Sequence, residues 1–311
     1  MKAIVYTKFG PPEVLQLKEI EKPTPVENEI LIRIYATTVE KEDPDLRSKR
    51  GFNGFIKPRH QILGLFIAGE IEAVGSEVTK FKVGDQVYGS TTMSLGAYAE
   101  YICLSEDVAL VQKPSNFSYD EAVAVLNGVI TALPYLREKA NFQSGQKILI
   151  NGASGSVGTA AVQLAKYLDA LQITGVCSTT NLELVKSLGA DKVIDYTKED
   201  FTKIAETYDV VFDCVGKSSY SKCKNLLKSG GVFLTTIPNL MALFNKRIKF
   251  TATGLRKANK KIADLLFLND IIKEGKFKAV IDSRFPMEKI ADAHILVAKG
   301  HKKGSVVITI A

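Results

Sequence analysis

The stretch that most constrains this chain is Asn151-Gly-Ala-Ser-Gly-Ser-Val-Gly158. The apolar run Lys147-Ile-Leu-Ile150 precedes it, and a helix-like pattern of small and apolar residues follows it to Ala170. A strand that turns into a helix across such glycines is the corner on which doubly wound α/β domains hold a dinucleotide. The first position of the G-x-G-x-x-G pattern, which forms the tight turn, is Ala153; alanine suffices there if its φ stays negative. Gly155 and Gly158 keep the other two roles, backbone approach to a pyrophosphate and close packing of helix on strand. A helix beginning near Ser156 presents free N–H groups and the positive end of its dipole to phosphates.

The surrounding rhythm supports this reading. Strands are expected at 147–151, 172–177, 192–195, 208–214, 230–236 and 247–253, with helices at 156–169, 181–188, 199–205 and 218–228. A further helix is expected at 119–137, with Asp120 and Glu121 in its first turn. The alternation implies a parallel sheet with right-handed crossovers. The first 110 residues read differently, as short β patterns at 2–6, 29–35, 68–74 and 86–89 broken by Gly and Pro turns, which suits a small barrel. After Gly254 come helices at 259–274 and 287–299 and strand-like pieces at 278–281 and 305–310, expected to return to the first domain. The expected division is thus a β domain over 1–117 completed by 254–311, and a dinucleotide-binding domain over 118–253.

With 311 residues, 46% of them hydrophobic, the chain can bury two cores. Its cysteines, Cys103, Cys177, Cys214 and Cys223, form no C-x-x-C pair, which argues against a disulfide framework or a zinc knot. The N-terminus starts directly as a strand, and no apolar run approaches the roughly 20 residues of a membrane span. A cytoplasmic protein with no membrane partner is expected. The net charge of +7 is dispersed, and its densest clusters, 256–261 and 299–303, are not interleaved with aromatics. No nucleic-acid partner is expected, and a polyanionic cofactor suits the charge.

An NAD site carries Asp or Glu about 20 residues past the glycines, on the ribose 2′-OH. Here the second strand ends in Cys177-Ser-Thr-Thr-Asn181, and the first acid after it is Glu183. A carboxylate would repel a 2′-phosphate, whereas Ser178 and Thr179 can donate to one, so NADPH is the expected cofactor. Thr180 or Asn181 also suits the N-cap of the following helix.

The chain resembles the zinc-free quinone oxidoreductases of the medium-chain dehydrogenase/reductase (MDR) superfamily. The likeness is carried by "MKAIVYTKFGPPEVLQLKE" at Met1, "AGEIEAVGSEVTKFKVGDQVYG" at Ala68, "GAYAEY" at Gly96, "GASGSVG" at Gly152, "LGADKVIDY" at Leu188, "FDCVG" at Phe212 and "KGHKKGSVVI" at Lys299. It implies an α/β fold: a Rossmann doubly wound parallel sheet domain plus a GroES-like β-barrel domain, with the active site in the cleft between them. It also implies hydride transfer from NADPH to quinones or α,β-unsaturated carbonyls, and a homodimer. By the same resemblance Ser154, Ser156 and Val157 line the pyrophosphate turn, Tyr196 joins Ser178 at the 2′-phosphate, Thr131 faces the nicotinamide, and Thr236 and Ile237 lie under that ring. A strand-end packing role for Tyr196 stays open. Lys302 and Lys303 lie where relatives place basic residues near the cofactor, although a solvated turn explains them as well.

The positions that hold zinc ligands in the metal-bearing cousins carry Glu40, Leu65 and Asn127 here, and leucine cannot ligate, so no metal is expected. Glu40 also departs from the quinone oxidoreductases, which read Val-Asn-x-x-Asp where this chain has Val39-Glu-Lys-Glu-Asp43. Glu40 and Asn127 are thereby candidates for the substrate pocket. Glu40 either pairs with a lysine or arginine and shapes the pocket, or acts as a desolvated general acid toward the substrate's developing oxyanion. Competing functions are a carbonyl reductase or alcohol dehydrogenase, and a non-enzymatic NADPH-binding protein with an RNA or protein partner.

Overall fold

Isoleucines at 30, 32 and 34 alternate along the strand Glu29–Val39 and are fully buried, so one face of this long strand is core throughout. In the computed structural model, which describes residues 1–310, that strand organises the first of two units. It pairs antiparallel with Ser305–Thr309, Phe66–Val74 and Tyr101–Ser105, and two register shifts against Phe66–Val74 let it curl. Gln86–Ser90 and Ala109–Gln112 extend the sheet beyond Phe66–Val74, and Ile281–Pro286 extends it, in parallel, beyond Ser305–Thr309. The result is the GroES-like β architecture.

The first unit comprises Met1–Leu126, Lys257–Asn269 and the chain from Ala279 onward; the second comprises Asn127–Arg256 and Asp270–Lys278. The division thus falls after Leu126, nine residues past the expected boundary at Phe117. The helix Tyr119–Ala124 accounts for this. Its Tyr119 ring stacks on Tyr35 at 4.5 Å, its Asp120 accepts from Arg284 Nε at 2.7 Å, and its Ala124 carbonyl accepts from Ser305 Oγ at 2.7 Å. Conversely, Lys278 exchanges two backbone hydrogen bonds with the Gln163 side chain, which ties 270–278 to the second unit.

The second unit is a six-stranded parallel sheet in the order Lys192–Asp195, Gln172–Cys177, Lys147–Asn151, Tyr208–Asp213, Leu227–Thr235, Ile248–Lys249. Numbered along the chain this is 3-2-1-4-5-6, the doubly wound dinucleotide order. Its two halves meet between Lys147–Asn151 and Tyr208–Asp213.

Some expected elements differ. The helix expected at 199–205 is a single 3-10 turn, Phe201–Lys203, started by Asp200 accepting from the Thr202 amide. The one expected at 218–228 is the short helix Tyr220–Cys223 plus a 3-10 turn, because the strand begins early, at Leu227. That strand passes through a bulge where Gly230 adopts φ +77°. The segment 119–137 breaks at Val125 and again at Pro134, where a π-turn over Tyr135–Lys139 follows.

The first unit also buries a polar set. Arg47 Nη1 lies 3.2 Å from His294 Nδ1, and Arg47 Nε donates to the Gly10 carbonyl at 3.1 Å. A guanidinium can only donate, so the ring proton of His294 sits on Nε2. Burial, reinforced by the Arg47 charge, lowers the His294 pKa to about 3. Asp43, fully buried, accepts from the Glu40 amide at 2.7 Å. Burial pushes its carboxyl up to about 8, the Glu40 amide opposing and the Glu42 and Glu40 charges adding.

A carboxyl that keeps its proton in the folded chain up to about pH 8, and loses it near pH ~4 when unfolded, contributes stability that is complete below pH ~4. That contribution disappears progressively as pH rises through the folded value. Asp43→Asn keeps an oxygen for the Glu40 amide and removes the titration. Thermal unfolding should therefore show the variant gaining on the wild type from pH ~4 to about 8 and levelling off above, the His294 contribution being common to both proteins. Parallel curves across that range would show that Asp43 does not hold its proton.

Candidate active site

At the corner after Lys147–Asn151 the left-handed backbone falls on Gly152, φ +80°, and not on Ala153. The amides of Gly152 and Ala153 both donate to the Val176 carbonyl at 3.0 Å, which holds the turn against the second strand. Gly155 then serves as N-cap of the helix Ser156–Tyr167 with no side-chain cap, and Thr159 N is bonded to its carbonyl at 2.8 Å. The first-turn amides of Val157 and Gly158 therefore have no acceptor within the helix. A Cβ added at Gly155 would meet only Gly152 O, at 3.6 Å, so the chain there is open to a close ligand. A Cβ at Gly158 would lie 2.1 Å from Gly152 O, so helix and turn touch backbone to backbone. These are the donors and the clearance that a dinucleotide pyrophosphate requires, and the site fits one.

The end of the second strand continues the site. Asn181 Nδ2 lies 3.2 Å from Ser154 Oγ and 3.2 Å from Ser178 Oγ, bridging the glycine turn to the strand end. Ser178 Oγ is 3.3 Å from Thr180 Oγ1. Thr179 is turned the other way: its hydroxyl donates to Asp195 and lies 3.2 Å from Thr197 Oγ1. Thr180, and not Thr179, is thus beside Ser178. Hydrogen bonds from Thr179 and Thr197 hold the Asp195 carboxyl down to about 2. The adjacent Tyr196 donates its amide to the Cys177 carbonyl at 3.1 Å and keeps its side chain about half exposed beside that strand end. Of the two residues that suited the N-cap, Thr180 and Asn181, Asn181 holds the position before the helix Leu182–Ser187, but its side chain makes no cap bond.

At the junction of the two halves of the sheet, buried Asp213 accepts from Asn151 Nδ2 at 3.0 Å and from the amides of Gly216 and Ser218 at 3.0 and 2.8 Å. An acid followed by Cys-Val-Gly at a strand end was the available signal for this turn. Gly216 makes room for Ile237, whose Cδ1 would lie 1.9 Å from an added Cβ. Thr236 N is bonded to the Asp213 carbonyl at 3.3 Å and Ile237 N to Thr235 Oγ1 at 3.2 Å, so Thr236 and Ile237 form a fixed ledge beyond the fifth strand. The Tyr135 hydroxyl braces the ledge from below: it donates to the Thr235 carbonyl at 2.6 Å and accepts from the Thr251 amide at 3.1 Å. Thr131 and Asn127 lie one turn apart on the helix Leu126–Pro134. A Cβ at Gly128 would stand 2.5 Å from the Ser156 carbonyl, so this helix packs directly on the start of Ser156–Tyr167.

In the first unit, Glu40 is buried and its Oε2 lies 3.3 Å from Lys302 Nζ, an ion pair with side-chain exposures of 2% and 11%. Lys302 Nζ also donates to the Gly304 carbonyl at 2.7 Å. Lys303 is exposed and donates its amide to Asp282. Leu65 packs against the apolar cluster around Tyr98 and Leu63. Among the described residues no group of three or more His, Cys, Asp or Glu side chains could hold a metal ion. The donor set does not fit zinc.

Two family models match the chain: an alcohol dehydrogenase GroES-like domain over residues 26–115 and a zinc-binding dehydrogenase domain over 188–308. The chain is 36% identical to a 2-methylene-furan-3-one reductase of Solanum lycopersicum and 33% identical to a chloroplastic NADPH-dependent alkenal/one oxidoreductase of Arabidopsis thaliana. Each alignment covers 99% of this chain and 79% of the relative. A quinone oxidoreductase from Coxiella burnetii superposes with a TM-score of 0.88 at 29% identity, covering 100% of this chain and 99% of that one. With the doubly wound sheet, the GroES-like unit and the glycine corner in place, the chain belongs to the quinone oxidoreductase family of the medium-chain dehydrogenase/reductase superfamily.

Proposed function

We infer that this protein is an oxidoreductase that takes a hydride from a reduced nicotinamide dinucleotide and passes it to quinones or α,β-unsaturated carbonyl compounds. The observation that carries the reading is the anion cradle between Gly152 and Gly158, set beside the junction of a 3-2-1-4-5-6 sheet. The names of relatives that align over 99% of the chain point to the acceptor class. Bound cofactor supplies the hydride. The chain's own contribution is to seat the pyrophosphate on the amides of the Ser156 helix, to offer Thr236 and Ile237 as a rigid ledge, and to present Thr131 from the adjoining helix. Reduction of an enone adds one hydride and one proton across the C=C bond, and the negative charge that develops on the carbonyl oxygen needs a proton or a hydrogen bond.

NADPH is the proposed cofactor. Ser178 and Thr180 present hydroxyls at the strand end, Tyr196 flanks them, and the nearby Asp195 carboxylate is occupied by Thr179 and Thr197. With a fixed enone, kcat/KM should favour NADPH over NADH. Ser178→Asp should lower the NADPH value by at least ~10-fold while affecting NADH less, since only NADPH brings a second negative group to that carboxylate. An equal loss with both cofactors would remove Ser178 from the 2′-phosphate site.

The reading is also zinc-independent, and the Glu40–Lys302 ion pair supports Glu40 as a structural element of the pocket wall, with solvent delivering the proton. The open edge strand Ile248–Lys249, preceded by exposed Leu240, Leu243 and Phe244, supports the proposed homodimer. Turnover should survive exhaustive chelation. Glu40→Gln should keep turnover within about 10-fold of the wild type, where loss of a general acid costs roughly 100-fold. The same variant should lose roughly 3 kcal/mol of stability, because it strands the Lys302 charge, and Glu40→Gln/Lys302→Met should recover much of it. A drop of 100-fold or more in turnover, with cofactor affinity intact, would instead make Glu40 the acid.

A further inference from the structure

The loop following the helix Glu42–Ser48 is not absorbed by the function above. Between Leu46 and Gly69 the chain contains no Asp or Glu, yet it carries Arg47, Lys49, Arg50, Lys57 and Arg59. Within this acid-free stretch Phe52, Phe55 and Ile56 are 62%, 74% and 92% exposed. Single exposed apolar side chains are ordinary, but three large ones within five residues, flanked in sequence by the exposed Lys49, Arg50, Lys57 and Arg59, are not.

The loop is built to hold them there. Asn53, between the two phenylalanines, is buried; its amide donates to the Tyr6 hydroxyl and, at 3.0 Å, to the His60 carbonyl, and its Oδ1 accepts from the His60 amide at 2.9 Å. Gly51 and Gly54 exchange two backbone hydrogen bonds, of 2.8 and 3.0 Å. Gly54 takes φ +117°, and a Cβ there would lie 2.3 Å from the Lys57 carbonyl, so the turn is specific to glycine. Pro58 is buried. The loop is thus pinned through Asn53, Gly54 and Pro58, and its apolar side chains are displayed outward instead of folding back. Lys49 pairs with Asp45 at 2.7 Å, whereas Arg50, Lys57 and Arg59 have no ion-pair partner among the described residues.

We propose that this loop is a docking surface for an anionic phospholipid bilayer, with Phe55 and Ile56 entering the acyl boundary and Arg50, Lys57 and Arg59 facing the headgroup phosphates. Apolar tip and cationic rim are the two halves of interfacial membrane binding. A nucleic acid would match the cations and could stack on the phenylalanines, but it gives no role to Ile56, the most exposed of the three. The expectation of no membrane partner rested on the absence of a spanning segment, which a peripheral loop does not need. The proposal is independent of the catalytic reading, because its test needs no turnover.

The 311-residue chain would be sedimented with vesicles of phosphatidylcholine alone and with vesicles carrying about 30% phosphatidylglycerol, at low and high salt. The expected result is binding to the anionic vesicles only, weakened by salt, with partitioning reduced at least ~10-fold both by Phe55→Ser/Ile56→Ser and by Lys57→Glu/Arg59→Glu. Thermal unfolding of both variants like that of the wild type would establish that they are folded. Were one of them to unfold early, Ile56→Ser alone, at a side chain with almost no protein neighbours, would carry the apolar arm. Failure to bind the anionic vesicles overturns the proposal. So does binding that survives loss of Phe55 and Ile56, which is adsorption by net charge alone, and so does a salt-sensitive complex with single-stranded RNA in place of vesicles.

Discussion

The approach of Gly158 to the Gly152 carbonyl is the contact on which the second unit depends. An added Cβ would stand 2.1 Å from that oxygen, so no side chain can separate the helix Ser156–Tyr167 from its own strand. Because the helix lies against the turn, its first amides aim into the mouth of the sheet. The same helix start receives Gly128 against the Ser156 carbonyl, which brings in the helix that carries Thr131. Two missing side chains thus bring three elements together. The rest of the site, from Asn181 to Asp213, is hydrogen bonding arranged around that convergence.

The architecture was legible because its signals are local. Alternating isoleucines announce the strand Glu29–Val39, and the repeated strand–helix rhythm from Lys147 onward announces the parallel sheet. What could not be read were features decided at a distance. Gln163 pairs with Lys278 across 115 residues and thereby moves 270–278 into the second unit. Ser305 reaches Ala124 across 181 residues and keeps the helix Tyr119–Ala124 with the first. Neither partnership leaves a trace in periodicity. The helices expected at 199–205 and 218–228 shrank for a related reason: apolar spacing alone cannot show that Asp200 starts a single turn or that strand pairing resumes at Leu227.

Within the site, legibility stopped at the choice between neighbours. Ser178, Thr179 and Thr180 are chemically near-equivalent in sequence, and only the position of Asp195 on the adjoining strand decides which hydroxyl turns away. The departure at Glu40 was visible, whereas its partner was not. Lys302 lies 262 residues away and reads as part of a solvated turn until the strand Ser305–Thr309 is placed beside Glu29–Val39. A buried ion pair of this kind contributes little net stability and is costly to break from either side.

Tyr135 shows how strongly one oxygen atom can restrict the drift of a sequence. Its ring lies in the core beside Phe212, where any aromatic of similar volume would pack. Its hydroxyl, however, satisfies the Thr235 carbonyl and the Thr251 amide at once, both belonging to backbone that runs past the end of the sheet. Phenylalanine would preserve the packing and leave the buried Thr235 carbonyl and the half-buried Thr251 amide without this partner. Neutral exchange between these two residues, common in protein cores, is therefore closed to this position. The ledge of Thr236 and Ile237 inherits that rigidity: the backbone it extends from is fixed by a hydroxyl a hundred positions away in the chain, so its side chains can be exchanged more freely than its support.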